Sequence, residues 1–231
     1  MTHPSNTFPV NRMPPIVTQL LPYSSGFYGL IMDQCTHTRE MIILLETFVQ
    51  TGEPALVEQM QELETRGEEL RVRNLDSLNP SVVCAADRED FLRACHAVDE
   101  LQGYLCDIVV EMDHLGIKAD WHMLEMTVQL RHAVDLMCVG FQKLTTCPIE
   151  ATHEAELIFN LRKSIEKSFR AGLVHLVSMN EPNQADLHSS TGIHQLFNLF
   201  KRREIYQLFR EASLKVGSSG KVLHEIALQF K

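Results

Sequence analysis

Apolar residues recur at alternating steps of three and four along most of this chain, and this spacing restricts what it can fold into. A clear run is Met123, Met126, Leu130, Ala133 and Met137. Such steps place side chains on one face of an α-helix, whereas a half-buried strand needs alternation at every second residue. No long segment alternates in that way. We therefore predict an all-α protein whose helices pack nearly antiparallel in a bundle.

Glycine and proline divide the chain into six long predicted helices. They cover about 24–50, 54–77, 87–116, 118–145, 148–179 and 186–230. Residues 1–23 form a proline-containing N-terminal arm, and one helical domain covers 24–231. The short break near Gly116 predicts two consecutive three-helix units within that domain, 24–116 and 118–231.

Charge and composition disfavour several classes of function. The net charge of the 231 residues is −9, whereas nucleic acids and anionic lipid surfaces attract clustered Lys and Arg. No apolar run approaches the roughly 20 residues that cross a bilayer, and the N-terminus lacks a signal-peptide pattern. The six cysteines are scattered without a Cys-x-x-Cys pair, as in proteins with reduced thiols. We expect a cytoplasmic protein without a nucleic-acid partner and without direct membrane insertion.

Residues 85–103, with the sequence AADREDFLRACHAVDELQG, place a block of charges at the start of the third predicted helix. Asp87 precedes the apolar pattern and is predicted to cap the helix by accepting a hydrogen bond from the Asp90 amide. Glu89 and Asp90 then lie in the first turn, where the helix dipole favours each negative charge by about 0.3–1 kcal/mol. A helix start is the favoured interpretation. The alternative is an acidic surface for a protein partner, formed by Asp87, Glu89, Asp90 and Glu100.

Two Glu-x-x-His motifs raise the alternative of a di-iron-type bundle enzyme. Glu111 with His114 and Glu150 with His153 have the spacing that such enzymes use, together with two further glutamates. However, one motif ends the third predicted helix and the other begins the fifth, whereas the enzymes need both at mid-helix. No nucleophile elbow, phosphate loop or dinucleotide fingerprint is present. We therefore expect no enzymatic activity.

Two segments resemble a known family. DREDFLRACHAVDEL resembles the helix-opening motif of the PhoU-like proteins that are encoded beside Pit-type phosphate permeases, and residues 201–230 resemble their last helix. The six-helix layout matches as well, so the resemblance covers most of the chain. It implies a PhoU-like bundle and a cytoplasmic accessory protein that regulates phosphate uptake. Its implied partner is the permease, whose cytoplasmic loops would hold the protein at the inner face of the membrane. The resemblance leaves open whether the protein forms a homo-oligomer.

In that family, acidic pairs four residues apart carry metal clusters, because this spacing puts both carboxylates on one helix face. The matching positions in this chain are Glu64 and Glu68, Asp99 and Gly103, Arg162 and Glu166, and Arg210 and Leu214. One pair of four is intact, and arginine does not ligate metals. The resemblance thus implies decayed metal sites in which arginines pair with the remaining carboxylates. We expect no cofactor; the alternative is a residual divalent metal or iron bound by Glu64, Glu68, Asp99 and Glu166.

Overall fold

The computed structural model describes residues 25–77, 85–179 and 190–230, which form six long α-helices and no strand. The helices are α1 (Ser25–Thr51), α2 (Ala55–Asp76), α3 (Ala85–His114), α4 (Trp121–Lys143), α5 (Ala151–Met179) and α6 (Ser190–Leu228), and a 3₁₀ turn at Pro148–Glu150 precedes α5. The prediction of an all-α, six-helix protein is confirmed, with boundaries within a few residues where both ends are described. The predicted arm 1–23 lies outside the described residues.

The start of α4 is set by a capping side chain that the sequence pattern did not reveal. We predicted a start near Lys118, but Asp120 accepts a hydrogen bond from the Met123 amide at 3.1 Å, and α4 begins at Trp121. The preceding turn contains Gly116 at a φ of +64°. Glycine adopts this left-handed conformation without the steric cost of a Cβ, and it commonly ends helices. The α3–α4 connection is therefore short and fixed at both ends.

All six described helices share one apolar core. Helices α1, α2 and α3 contact one another, as do α4, α5 and α6, and the two groups meet through α1 with α4 and α3 with α6. Helix α2 packs on α1 and α3, and α5 packs on α4 and α6. The buried side chains form a single cluster, rich in Leu, Ile and Met, that runs through both groups. The division into two three-helix units therefore stays a prediction, since one continuous core connects them.

Small residues let α6 approach its neighbours closely. A Cβ added at Gly172 of α5 would overlap the ring of Tyr206, and one at Gly140 of α4 would overlap Leu223. Tyr206 is fully buried, and its hydroxyl donates a hydrogen bond to Asp120 at 2.8 Å. Burial and this hydrogen bond raise the pKa of Tyr206, which keeps the hydroxyl protonated as a donor.

We expect Gly172→Ala to destabilise the protein even though alanine is the better helix former. Alanine gains about 1 kcal/mol over glycine within a helix, but forcing a methyl group into a packed core costs about 1–3 kcal/mol. The free energy of unfolding should therefore fall by about 1 kcal/mol in urea titrations. The matched control is Gly103→Ala in α3, where a Cβ meets nothing within 4 Å, so stability should rise by about 0.5–1 kcal/mol. Equal effects at both sites would contradict the close packing of α5 on α6.

Candidate functional site

Helices α2 and α3 bring three of the predicted metal positions to one interface, where an arginine joins them. Arg71 donates hydrogen bonds to both carboxylate oxygens of Glu68, at 2.9 and 2.5 Å. Its Nε also lies 3.6 Å from Asp99 of the neighbouring helix. Glu64 lies one helical turn before Glu68 on α2. We call Glu64, Glu68, Arg71 and Asp99 the α2–α3 cluster.

The arginine dominates the electrostatics of the α2–α3 cluster. The hydrogen bond from Arg71 lowers the pKa of Glu68. Burial raises the pKa of Asp99, and Arg71 opposes that rise. The guanidinium thus supplies the positive charge between two carboxylates that the sequence analysis predicted as metal positions. Because its fixed fork of N–H groups matches a carboxylate, the chain provides its own counter-ion.

The other end of the same interface is acidic and includes a residue that the motif comparison missed. Asp107 of α3 has a raised pKa because of burial first and then the negative charges of Glu64 and Glu111. Asp99, Gly103, Asp107 and Glu111 follow one another at steps of four, so they lie on one face of α3. Extending the four-residue step beyond Gly103 would have found Asp107 in the sequence. Within the described part of the chain, neither Asp107 nor Glu64 forms an ion pair.

Glu166, the fourth predicted metal position, is held between two arginines on α5 and α6. Arg210 of α6 donates from Nε to one of its oxygens at 3.2 Å, and Arg170 donates to the other at 3.1 Å. The Arg210 guanidinium also lies over the ring of Phe169, 5.7 Å from its centroid. The predicted pairing of carboxylates with arginines is therefore confirmed for Arg71 and Arg210. In the described residues, no ion pair involves Arg162.

No group of three or more His, Cys, Asp or Glu side chains in the described ranges has an arrangement that could hold a metal ion. Glu166 is separated from the α2–α3 cluster, since α5 does not contact α2 or α3. The four residues predicted as a residual metal site therefore lie in two places. The expectation that the protein binds no cofactor stays a prediction.

The acidic block at the start of α3 differs from what we predicted. The helix begins at Ala85, so Asp87 lies inside its first turn and the prediction that it caps the helix is wrong. The side chain of Asp87 lies outside the described residues. Asp90 is only 7% exposed and accepts a hydrogen bond at 2.6 Å from Gln229, which directly follows α6. Its prediction as a partner-binding residue is wrong, because it joins α3 to the end of α6.

Glu100, the last member of the predicted acidic surface, also faces α6. Lys215 of α6 donates to it at 2.5 Å, and Arg93 pairs with Glu225 further along the same two helices. These contacts use charged residues of the block to join α3 to α6. Glu89 is exposed and is the member that the structure shows at the surface.

The two Glu-x-x-His motifs lie far apart. His114 ends α3 before α4 begins, and Glu150 follows the end of α4. Helix α4 has 23 residues, which corresponds to about 35 Å. His114, Glu150 and His153 are exposed, and Lys143 lies 3.5 Å from Glu150. This separation excludes a di-iron site shared by the two motifs.

The fold is that of PhoU-like proteins. The structure is similar to a PhoU-like phosphate regulatory protein from Shewanella oneidensis MR-1, with a TM-score of 0.67 and 13% sequence identity over 88% of this chain and 99% of that one. A second solved PhoU-like protein from the same organism has a TM-score of 0.65, 13% identity and the same coverage. The sequence matches no protein-family model and no curated protein. The likeness confirms the predicted PhoU-like bundle fold. At 13% identity it does not assign a role to any residue of this chain.

Removing Arg71 should raise the pKa of both carboxyl groups that it contacts. The guanidinium favours the ionised form of Glu68 and of Asp99, so Arg71→Gln moves both titrations to higher pH. Carboxyl-carbon NMR of the full chain across the acid range measures this directly. The control is Arg73→Gln, which removes a neighbouring arginine that pairs with Asp33 and should leave both titrations in place. An unchanged Glu68 titration in Arg71→Gln would contradict the bidentate contact.

Restoring the missing acid should create a metal site in the α2–α3 cluster. The space beside Gly103 is open, so Gly103→Asp with Arg71→Gln places a carboxylate beside Asp99 without its internal cation. We expect Mn²⁺ binding at least about tenfold tighter than in the wild type, since hard cations need converging oxygens. Titration calorimetry and elemental analysis measure it. Arg71→Gln with Gly103→Asn is the uncharged control. Tight, stoichiometric metal binding by the wild type would contradict the substitution of Arg71 for a metal.

Proposed function

We propose that this protein is a non-catalytic accessory regulator of phosphate uptake that acts on a Pit-type permease at the cytoplasmic face of the membrane. The observation that carries the proposal is the fold. The structural match covers 88% of this chain and 99% of a solved protein described as a PhoU-like phosphate regulatory protein. The resemblance of the α3 opening and of residues 201–230 to the permease-linked branch of that family supports the finer assignment to Pit-type transport.

The charged clusters support a non-catalytic role. A general acid or base needs a carboxyl group whose proton can move to or from a substrate. Here Glu68 and Asp99 share Arg71, and Glu166 lies between Arg170 and Arg210. These carboxylates are engaged in internal ion pairs that connect helices. The same ion pairs hold α2 to α3 and α5 to α6. We therefore expect the protein to act by binding a partner through its outer surface.

The outer surface of α2 is the part of the protein that best fits the permease. Its exposed acids are Glu58, Glu62, Glu64, Glu68, Glu69 and Asp76. Cytoplasmic loops of membrane proteins carry an excess of Lys and Arg, so an acidic surface attracts them. Glu89, at the start of α3, follows the end of α2 closely in the chain. We propose that Glu89 extends this acidic surface beyond Asp76 and that permease loops contact it.

Phosphate uptake in cells tests the assignment of function. Cells that express a Pit-type permease with and without this protein should differ in their initial rate of phosphate uptake. The purified permease should also retain this protein on an affinity column. Identical uptake rates together with no retention would contradict the proposal.

Charge reversal tests the proposed contact. Glu89→Lys with Asp76→Lys should weaken binding to immobilised cytoplasmic loops of the permease severalfold, since exposed charge pairs contribute about 0.2–1 kcal/mol each. The effect should shrink at high salt because salt screens exposed charges. The control is Glu156→Lys with Asp113→Lys, which changes the net charge equally at exposed positions on α5 and α3. Circular dichroism verifies that helicity is kept. Affinity that responds neither to salt nor to the first pair would show that this surface is not the contact.

A further inference from the structure

Two cysteines from distant parts of the chain face each other where α1 packs on α4. The Cys138 thiol donates a hydrogen bond to the backbone carbonyl of Cys35 at 3.3 Å. The Cys35 thiol is in turn hydrogen-bonded to the sulfur of Cys138. The two residues are separated by 103 positions in the chain, so the scattered cysteines of the sequence gave no sign of this pair. The fold brings two reduced thiols into direct contact.

The two thiols of this pair differ in acidity. The hydrogen bond from Cys35 lowers the pKa of Cys138, and burial opposes this effect. The nearby charge of Arg39 lowers the pKa of Cys138 as well, against the weaker influence of Asp135. The hydrogen bond with Cys138, followed by burial, raises the pKa of Cys35. Because the thiolate is the nucleophile in thiol chemistry, Cys138 is the reactive member and Cys35 keeps its proton.

Cys138 is also the most accessible of the four buried cysteines in the described chain. It is 9% exposed, whereas Cys35 is 0%, Cys95 is 1% and Cys106 is 2% exposed. Its neighbour Val139 is exposed on the outer side of α4. Cys138 therefore lies at the edge of the core, where an oxidant little larger than water reaches its sulfur.

The other buried thiols have surroundings that suppress reaction. Burial raises the pKa of Cys95 to about 12, and Asn74 donates to its sulfur at 3.9 Å. Burial also raises the pKa of Cys106, whose thiol donates to Glu64 at 3.1 Å. Thiols that stay protonated react slowly. These two residues behave as small apolar side chains and are internal references for the reactive pair.

We propose that Cys35 and Cys138 form a peroxide-sensitive dithiol that oxidises to a reversible disulfide between α1 and α4. The Cys138 thiolate attacks one oxygen of hydrogen peroxide, the O–O bond breaks, and the departing hydroxide takes up a proton to become water. Cys138 is then a sulfenic acid. The sulfur of Cys35 displaces the hydroxyl group, which leaves with the Cys35 proton as a second water. The two thiols are oxidised to a disulfide and the peroxide is reduced to two waters.

The position of the pair gives the disulfide a structural consequence. Among the described helices, the group α1–α3 meets the group α4–α6 through α1 with α4 and through α3 with α6. A bond between α1 and α4 would fasten the two groups at the first of these junctions. Helix α6 contains no cysteine, so the second junction has no equivalent bond. A dithiol reductant reverses the cross-link by thiol–disulfide exchange, as suits a response to a transient oxidant.

Peptide mapping of the full-length protein after oxidation tests the proposal. The reduced, folded protein is treated with hydrogen peroxide, and the remaining thiols are alkylated in denaturant before proteolysis without reductant. We expect one dominant cross-linked pair of peptides, which contains Cys35 and Cys138 and which dithiothreitol separates. Cys138 should lose its thiol at least about tenfold faster than Cys95 or Cys106, since reactivity follows thiolate content and access. Equal rates at all buried thiols, or a dominant cross-link between any other pair, would overturn the proposal.

Single variants separate the roles of the two cysteines. In Cys35→Ser, which keeps a hydrogen-bond donor, the sulfenic acid at Cys138 has no thiol to condense with. Dimedone should therefore label Cys138 strongly in this variant and weakly in the wild type. Cys147→Ser removes an exposed thiol between α4 and α5 and is the control, which should form the disulfide as the wild type does. Equal labelling of Cys138 in the wild type and in Cys35→Ser would show that Cys35 does not complete the reaction.

A variant that leaves both cysteines in place tests the reactivity of Cys138 separately. Arg39→Gln removes a charge that favours the thiolate and should slow the loss of the Cys138 thiol severalfold. Arg66→Gln is the matched control, because Arg66 is an exposed arginine on α2 that pairs with Glu40, and it should react at the wild-type rate. Equal rates for Arg39→Gln and the wild type would contradict the assignment of Cys138 as the attacking thiolate.

Thermal unfolding distinguishes a bond that the native fold accommodates from one that distorts it. A cross-link that closes a long loop restricts the unfolded chain, so the Tm of the oxidised protein should exceed that of the reduced protein by at least about 5 °C. Dithiothreitol should return the Tm to its original value. A Tm that does not rise would show that α1 and α4 do not accommodate the bond, and the proposal would be wrong. These experiments contain no permease, so their failure would leave the proposed regulation of phosphate uptake untouched.

Discussion

A hydrogen bond from the buried Tyr206 hydroxyl to Asp120 holds three helices in one arrangement. Asp120 also caps α4 through the Met123 amide and accepts from Arg202. The Tyr206 ring occupies the space that Gly172 leaves open on α5. The contact therefore joins α6 to the start of α4 and to the face of α5 that packs against it.

The charged residues of the chain serve mainly to join helices. Arg71 connects α2 to α3 through Glu68 and Asp99, and Arg210 connects α6 to α5 through Glu166. A guanidinium supplies in each case the positive charge that balances the carboxylates at the interface. This arrangement favours a protein that works through its surfaces.

Some residues had the right chemistry in the sequence and a different role in the structure. The resemblance pointed to Glu64, Glu68 and Asp99; helical periodicity places Glu64 and Glu68 on one face of α2, and the packing of α2 on α3 brings Asp99 to the same interface. The motif comparison missed Asp107, which one further step of four beyond Gly103 would have found, and which lies near Glu64 once α2 packs on α3. Asp90 had the pattern of a solvated first-turn acid, yet Gln229, 139 positions away in the chain, covers it. Local patterns do not contain such a contact.

The sequence by itself determined the all-α class, the number of helices and their approximate limits, since spacing, glycine and proline act within a few turns. Only the tertiary structure decided which acids are exposed and where the net charge resides. Glu89 stays exposed at the start of α3, whereas Asp90 beside it is buried and accepts a hydrogen bond from Gln229. The physical reason is that exposure and local potential depend on which distant helices meet, and no short-range pattern specifies that.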